Sequence, residues 1–177
     1  MEPETARWLT STEGQALMAL AEASGPPRAT GTQRELAIQM SLRSAGHPAT
    51  RVAAVMSLLA ARAKAVGKFG DTAGSLFVTQ EGIEQATRPQ LAARHTARFV
   101  AAGVQEVFDL GCGIGSDAAT FARAGIKVVA VEADPVTATF AAANLRSWPS
   151  ARVMTGTAQD VALPRGDAAR HTGVWVD

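Results

Sequence analysis

Between Val104 and Glu132 the chain reads as strand, glycine turn, helix and strand, in that order. Val104 to Leu110 is an apolar run, and Gly111, Gly113 and Gly115 alternate directly after it. Ser116 to Ala124 has helical character and is closed by Gly125. The next segment, IKVVAVE from Ile126 to Glu132, is almost continuously apolar, the pattern of a strand covered on both faces. Parallel strands need a crossover between them, so this order predicts a βαβ unit and a parallel α/β sheet. Pro135 to Leu145 follows as a helix with proline in its first turn, and Asp134 reads as the residue that starts it. Short strands are expected at Arg152 to Thr155 and at Val174 to Val176.

The first hundred residues read as helical. Thr10 to Glu13 has the composition of a capping box for a helix to about Glu22, which Ser24-Gly25-Pro26-Pro27 breaks. A second helix is expected from Gln33 to Ser44, and a third from Ala49. The third buries a stripe of Val52, Val55, Met56, Leu59, Ala63 and Val66. Gly67, Gly70 and Gly74 mark a loop, and Leu76-Phe77-Val78 reads as a short strand. Thr79 is a good N-cap for a helix from Gln80, although Gly82 weakens its first turn. Pro89 restarts a helix that runs through Leu91, Phe99 and Val100 to Gly103. The division expected is a helical lobe over 1–79 and an α/β domain over 80–177.

Charge and composition exclude several classes. The formal net charge of +1 makes no case by itself for a polyanionic partner. Cys112 is the single cysteine, so no internal disulfide can form. No apolar run reaches the roughly 18 residues of a membrane span. The acidic N-terminus lacks the pattern of a secretory signal, so a cytoplasmic protein is expected. His47, His95 and His171 are scattered and do not form a metal site.

A strand that runs through a glycine turn into a helix is a nucleotide-binding device, because glycine lets the backbone approach a ligand and the helix start offers free N–H groups. Glu132 ends the next strand roughly 20 residues past the first glycine, where a carboxylate can accept from both hydroxyls of a ribose. Two cofactor types fit this outline. A dinucleotide site prefers its third glycine at the position of Ser116, whereas here it comes one residue early, at Gly115. Asp109 lies at the mouth of the turn, where a carboxylate suits a ligand amino group and repels a diphosphate. S-adenosylmethionine (SAM) carries an amino group and a sulfonium and no phosphate. Cys112, between two glycines and without a base partner, reads as a packing residue.

The stretch VFDLGCGIGSDAATFARAGIKVVAVEADPVTATFAAANL resembles the first two motifs of class I SAM-dependent methyltransferases. The resemblance implies a Rossmann-like fold in which Asp109, Gly111, Gly113 and Gly115 line the methionine part of SAM and Glu132 holds the ribose. It further implies that Asp160, in Thr157-Ala158-Gln159-Asp160-Val161, contacts the adenine amino group. Trp175-Val176-Asp177 matches the fourth strand and the first residue of the motif that follows it. That makes Asp177 the catalytic candidate, accepting a hydrogen bond from the target amine. KFGDTAGSLFVTQEGIEQATRPQLAARHTARF, followed by the glycine motif, is similar to actinobacterial methyltransferases that carry a THUMP-like domain. It is more distantly similar to trimethylguanosine synthases, which implies RNA or a nucleotide base as substrate.

The family's sheet needs about seven strands and this sequence supplies four, so a form truncated after the fourth strand is expected. The rival readings are a non-catalytic SAM- or RNA-binding module and an NAD(P)-dependent oxidoreductase. Among other residues, Trp148 reads as a packing residue or a cover for the adenine edge. Arg62, Lys64 and Lys68 read as a helix end or a phosphate patch, and Gln85, Thr87 and Arg88 as neighbours of the SAM carboxylate.

Overall fold

The computed structural model describes residues 1–25 and 31–176. Its eight α-helices among those residues are α1 (Pro3–Thr10), α2 (Thr12–Ser24), α3 (Gly31–Ser44), α4 (Ala49–Phe69), α5 (Gln80–Gln85), α6 (Pro89–Ala101), α7 (Ser116–Arg123) and α8 (Pro135–Leu145). The strands are β1 (Glu106–Leu110), β2 (Lys127–Glu132), β3 (Ala151–Thr155) and β4 (Thr172–Val176). They form one four-stranded sheet in the order β3-β2-β1-β4, and every pair is parallel. The molecule is therefore α/β, with the alternation read from the sequence and an arrangement compatible with a Rossmann-like fold.

The order places a switch point beside β1. The chain moves outward from β1 to β2 to β3, then returns past both to lay β4 on the other side of β1. Right-handed crossovers put α7 and α8 on one face, and the reversed direction of the β3–β4 connection sends it to the other. Side chains follow this division. Val107, Val128, Ala130, Val153 and Trp175 pack with α6, α7 and α8, including Phe99, Phe121 and Leu145. Phe108, Leu110, Val129 and Val131 form a smaller cluster on the opposite face, where Val161 of the β3–β4 connection packs on them. The apolar run of β2 is thus covered on both faces, by helices on one and by an irregular crossover on the other.

The N-terminal helices do not form a separate core. Leu9, Leu17, Leu42, Val55 and Leu58 bury together with Phe77, Val78 and Ile83, and the same cluster includes Ile114 of the glycine turn and Val136 and Phe140 of α8. Gly82 explains itself here. A Cβ at this position would lie 2.8 Å from Ile114 Cγ2, so glycine lets α5 close onto the turn. Thr79 caps α5 as expected, its hydroxyl accepting from the Gly82 N–H at 3.0 Å.

Three local expectations are corrected. Leu76-Phe77-Val78 is extended but joins no sheet. Both backbone groups of Phe77 are satisfied by one side chain: Asn144 Oδ1 accepts from the Phe77 N–H at 2.8 Å and Nδ2 donates to the Phe77 carbonyl at 2.9 Å. Nδ2 also donates to the Ile114 carbonyl at 3.0 Å. In the α4 stripe Val52 and Val55 are buried and Met56 and Leu59 pack partly buried against the core, but Ala63 and Val66 are exposed, and the buried face continues through Leu58, Ala61 and Ala65. Toward that end of so alanine-rich a helix, periodicity alone does not select a face; here the 3-10 turn Gly70–Ser75 folds back over the C-terminal end of α4. Finally, the cap before α2 is Ser11, which accepts from the Gly14 N–H, and Thr10 belongs to the preceding helix α1. No described helix is long and apolar enough to cross a membrane.

Asn144→Leu keeps the size of the side chain and removes three hydrogen bonds at a part-buried junction. We expect it to destabilise folding by at least about 2 kcal/mol in urea denaturation, because the orphaned backbone groups keep their desolvation penalty.

Candidate functional site

The glycine turn is shaped by backbone conformation. Gly111, Gly113 and Gly115 all have positive φ, at 92°, 54° and 86°. Residues with a Cβ pay roughly 1–2 kcal/mol to enter this region, so the three glycines are what the turn requires. The turn is anchored to β2, since the N–H groups of Gly111 and Cys112 both donate to the Val131 carbonyl at 2.9 Å. Glu132, at the end of β2, completes the anchoring. Its Oε2 accepts from the Gly113 N–H at 3.0 Å and its Oε1 from the Asp134 N–H at 2.8 Å.

A cleft of about 690 Å³ opens at the C-terminal ends of β1, β2 and β4. This is the switch point, the place where open α/β sheets bind ligands, and the volume suits a small-molecule or cofactor site. Asp109, Gly111, Gly113 and Glu132 line it, so the structure brings together four of the residues singled out from the sequence. Asp109 is 1% exposed. Gly115 does not line the cleft; it turns the chain into α7 and faces Leu145. Asp160 does not line it either. It sits in the 3-10 turn Ala158–Asp160 after β3, where its carboxylate accepts from the Thr157 N–H and hydroxyl at 2.8 Å. Those bonds hold its pKa below the ordinary carboxylate value, the backbone N–H contributing most. Asp177 lies outside the described residues.

The side-chain charge of the cleft is acidic. Glu81, Asp109, Asp117, Glu132 and Asp134 line it, and among the described residues no lysine or arginine does; the Met1 N-terminus reaches its rim beside Asp134. Its outer wall is α5 and the linker after it, which contribute Glu81, Gln85 and Thr87. Arg88 is the N-cap residue of α6 and is not part of the lining. The cations of α4 are engaged elsewhere. Arg62 donates to the Leu76 carbonyl and to Glu22, Lys64 to Gln80, and Lys68 to the last carbonyls of α5.

Cys112 is buried, and burial together with nearby Asp109 and Glu132 pushes its thiol pKa well up, which keeps it neutral and unreactive. That agrees with a packing role. Trp148 packs against the sheet–helix core with Arg123 over its ring, away from the cleft. Asp134 is the N-cap of α8, accepting from the Thr137 N–H at 2.8 Å and from its hydroxyl at 2.7 Å.

Ser116, Asp117 and Trp175 are among the cleft residues that were not selected from the sequence. Ser116 and Asp117 open α7 directly after the turn, and their position was a legible signal. Trp175 was read only as part of a strand. Its place in the cleft follows from pairing, because register sets it beside Asp109 across β1 and β4.

Residues 2–65 match a family model described as a domain of unknown function (DUF8688). The match spans α1 to most of α4 and ends before the glycine turn. No curated protein matches the chain.

Two outcomes are expected from this geometry. Gly113→Ala places its Cβ in open space, so its folding cost is the backbone term of about 1 kcal/mol. Gly115→Ala costs more, because its φ of 86° lies farther from the left-handed well near 57° than the 54° of Gly113, while the Leu145 contact at 3.4 Å is ordinary packing; chemical denaturation ranks the two. Asp134→Ala removes a cap and costs about 1 kcal/mol at neutral pH. Hydrogen bonds, first from the Thr137 hydroxyl, lower the Asp134 pKa below 3.8, so the unfolded chain binds this proton more readily. The cap's contribution is therefore full above pH 3.8 and fades as pH falls through the lowered folded value, where the stabilities of mutant and wild type converge.

Proposed function

We propose that this chain forms the SAM-binding part of a class I methyltransferase. The observation that carries the reading is the cleft at the β1/β4 switch point, which has a buried carboxylate at the glycine turn, four further carboxylates and, among the described residues, no lysine or arginine in its lining. A diphosphate would meet five carboxylates there, whereas a ligand with an ammonium and a sulfonium meets complementary charge.

The residues present fit such a cofactor. A Cβ at Gly113 would meet nothing within 4 Å, so the turn leaves room for a ligand to approach the backbone closely. Each oxygen of Glu132 accepts one backbone N–H. A carboxylate offers about four acceptor sites, so capacity remains for both hydroxyls of a ribose. Asp109 would face the ammonium.

Bound SAM supplies a methyl group already activated by its sulfonium. What the chain supplies is binding, orientation and exclusion of water. Glu132 fixes the glycine turn and the start of α8, and so keeps the cleft in shape before a ligand arrives. Asp109, buried beneath the turn, orients the charged end. RNA or a nucleotide base as methyl acceptor follows from the sequence resemblance. Such a base would enter the cleft without its phosphates, because among the described residues no lysine or arginine side chain lines the cleft to receive them.

Calorimetric titration with SAM and with NADH tests the cofactor class. We expect SAM to bind and NADH not to. Glu132→Gln should weaken SAM at least about tenfold while circular dichroism stays native, since a hydrogen bond to a charged group contributes roughly 1.5–3 kcal/mol. Binding of NADH alone, or SAM affinity indifferent to Glu132, would overturn the proposal.

A further inference from the structure

We propose that His95 and Asp117 are a positioning pair that fixes the Trp175 indole as the β4-side wall of the cleft, and that the wall so fixed sets how tightly a nucleoside thioether is held. This deepens the cofactor reading and rests on it.

Trp175 lines the cleft from β4, which is an edge strand among the described residues. Its strand neighbours Val174 and Val176 are 41% and 65% exposed, so β4 itself offers little to hold a large ring still. Nor does the indole N–H hold it, for Nε1 has no hydrogen-bond partner among the described residues. The ring is held by two side chains of α6. The His95 ring lies 4.2 Å from it, tilted by 34°, and Phe99 meets it edge-on at 6.2 Å. Phe99 reaches that place because residue 173 is glycine: a Cβ there would stand 2.4 Å from the phenyl ring.

His95 is fixed in turn. Its Nδ1 lies 2.7 Å from Asp117 Oδ1, and the two side chains are 14% and 6% exposed. An ionised carboxylate only accepts, so Nδ1–H donates and the ring's tautomer and orientation are set together. Asp117 stands in the first turn of α7, directly after the glycine turn, and lines the cleft itself. Next to it Thr96 and Thr120 share a hydrogen bond of 2.7 Å, so α6 and α7 are joined at two adjacent polar points. A continuous path therefore runs from the glycine turn through Asp117 and His95 to Trp175.

A buried carboxylate–imidazole pair is a poor way to gain stability, since apolar residues of similar volume serve as well or better. What the pair provides is a defined position for a ring carried by β4, an edge strand among the described residues.

The test uses the full chain with Trp8→Phe and Trp148→Phe, which leaves Trp175 as the single tryptophan. S-adenosylhomocysteine is titrated, and Trp175 emission and acrylamide quenching are recorded. We expect His95→Ala and Trp175→Ala, the latter followed by calorimetry, each to weaken binding about five- to tenfold, the scale of one aromatic contact. The double variant should bind no worse than Trp175→Ala alone, and Asp117→Asn should add nothing to His95→Ala. A role confined to stability would lower Tm and leave affinity unchanged, and costs that add in the double variant would mean His95 acts independently of Trp175; either overturns the proposal. If the parent chain binds no S-adenosylhomocysteine, the cofactor reading fails by itself. The positioning claim then stands on quenching of Trp175, which must rise severalfold in His95→Ala and is overturned if it does not.

Discussion

One carboxylate joins the two turns that make the cleft. Glu132 accepts the Gly113 N–H with one oxygen and the Asp134 N–H with the other. The first bond fixes a turn made of three left-handed glycines, and the second fixes the entry to α8, where Asp134 caps the helix. Glu132 adds to the anchoring that the Gly111 and Cys112 N–H groups make on the Val131 carbonyl, and gives the Gly113 and Asp134 N–H groups protein partners. Much of the neighbouring packing follows from the shape of the glycine turn, since it presents Ile114 to the helical lobe and leaves the Gly113 side open.

Ile114 is where the two parts of the chain meet. It buries in the same cluster as Leu58, Phe77 and Ile83, and its carbonyl is held by Asn144 of α8. Gly82 allows α5 to approach it. The N-terminal helices thus support the cleft from behind, while α5 forms its outer wall with Glu81 and Gln85. The matched family of unknown function covers only α1 to most of α4, so the part of this chain it describes is the support rather than the turn.

The site and the fold place their polar groups differently. In the sheet core nearly every buried residue is apolar, and the buried polar residues are Thr96, Asp109 and Asp117. Asp109 and Asp117 line the cleft, and Thr96 lies next to His95 at the α6–α7 contact. Buried polarity in this molecule is concentrated where β1, β4 and α7 converge, which is the switch point that the strand order creates.

The sequence by itself determined the βαβ order, the glycine turn, the carboxylate Glu132 at the end of β2 and the helix starts at Thr79, Pro89 and Asp134. These are local properties, set by conformational freedom, capping and periodicity over a few residues. It did not determine that Leu76-Phe77-Val78 stays outside the sheet, because Asn144, which satisfies both backbone groups of Phe77, lies 67 residues away. It found the buried face of α4 through Val52, Val55, Met56 and Leu59 but not at the C-terminal end, where Ala65 rather than Ala63 or Val66 is buried, because alanine leaves several faces apolar there. Asp160 looked like a cleft residue from its place after β3, yet its carboxylate closes its own turn with Thr157. Trp175 looked like a strand residue and lines the cleft. Its meeting with Asp109, His95 and Asp117 depends on the pairing of β4 with β1 and the packing of α6 on α7, contacts between distant parts of the chain that only the tertiary structure decides.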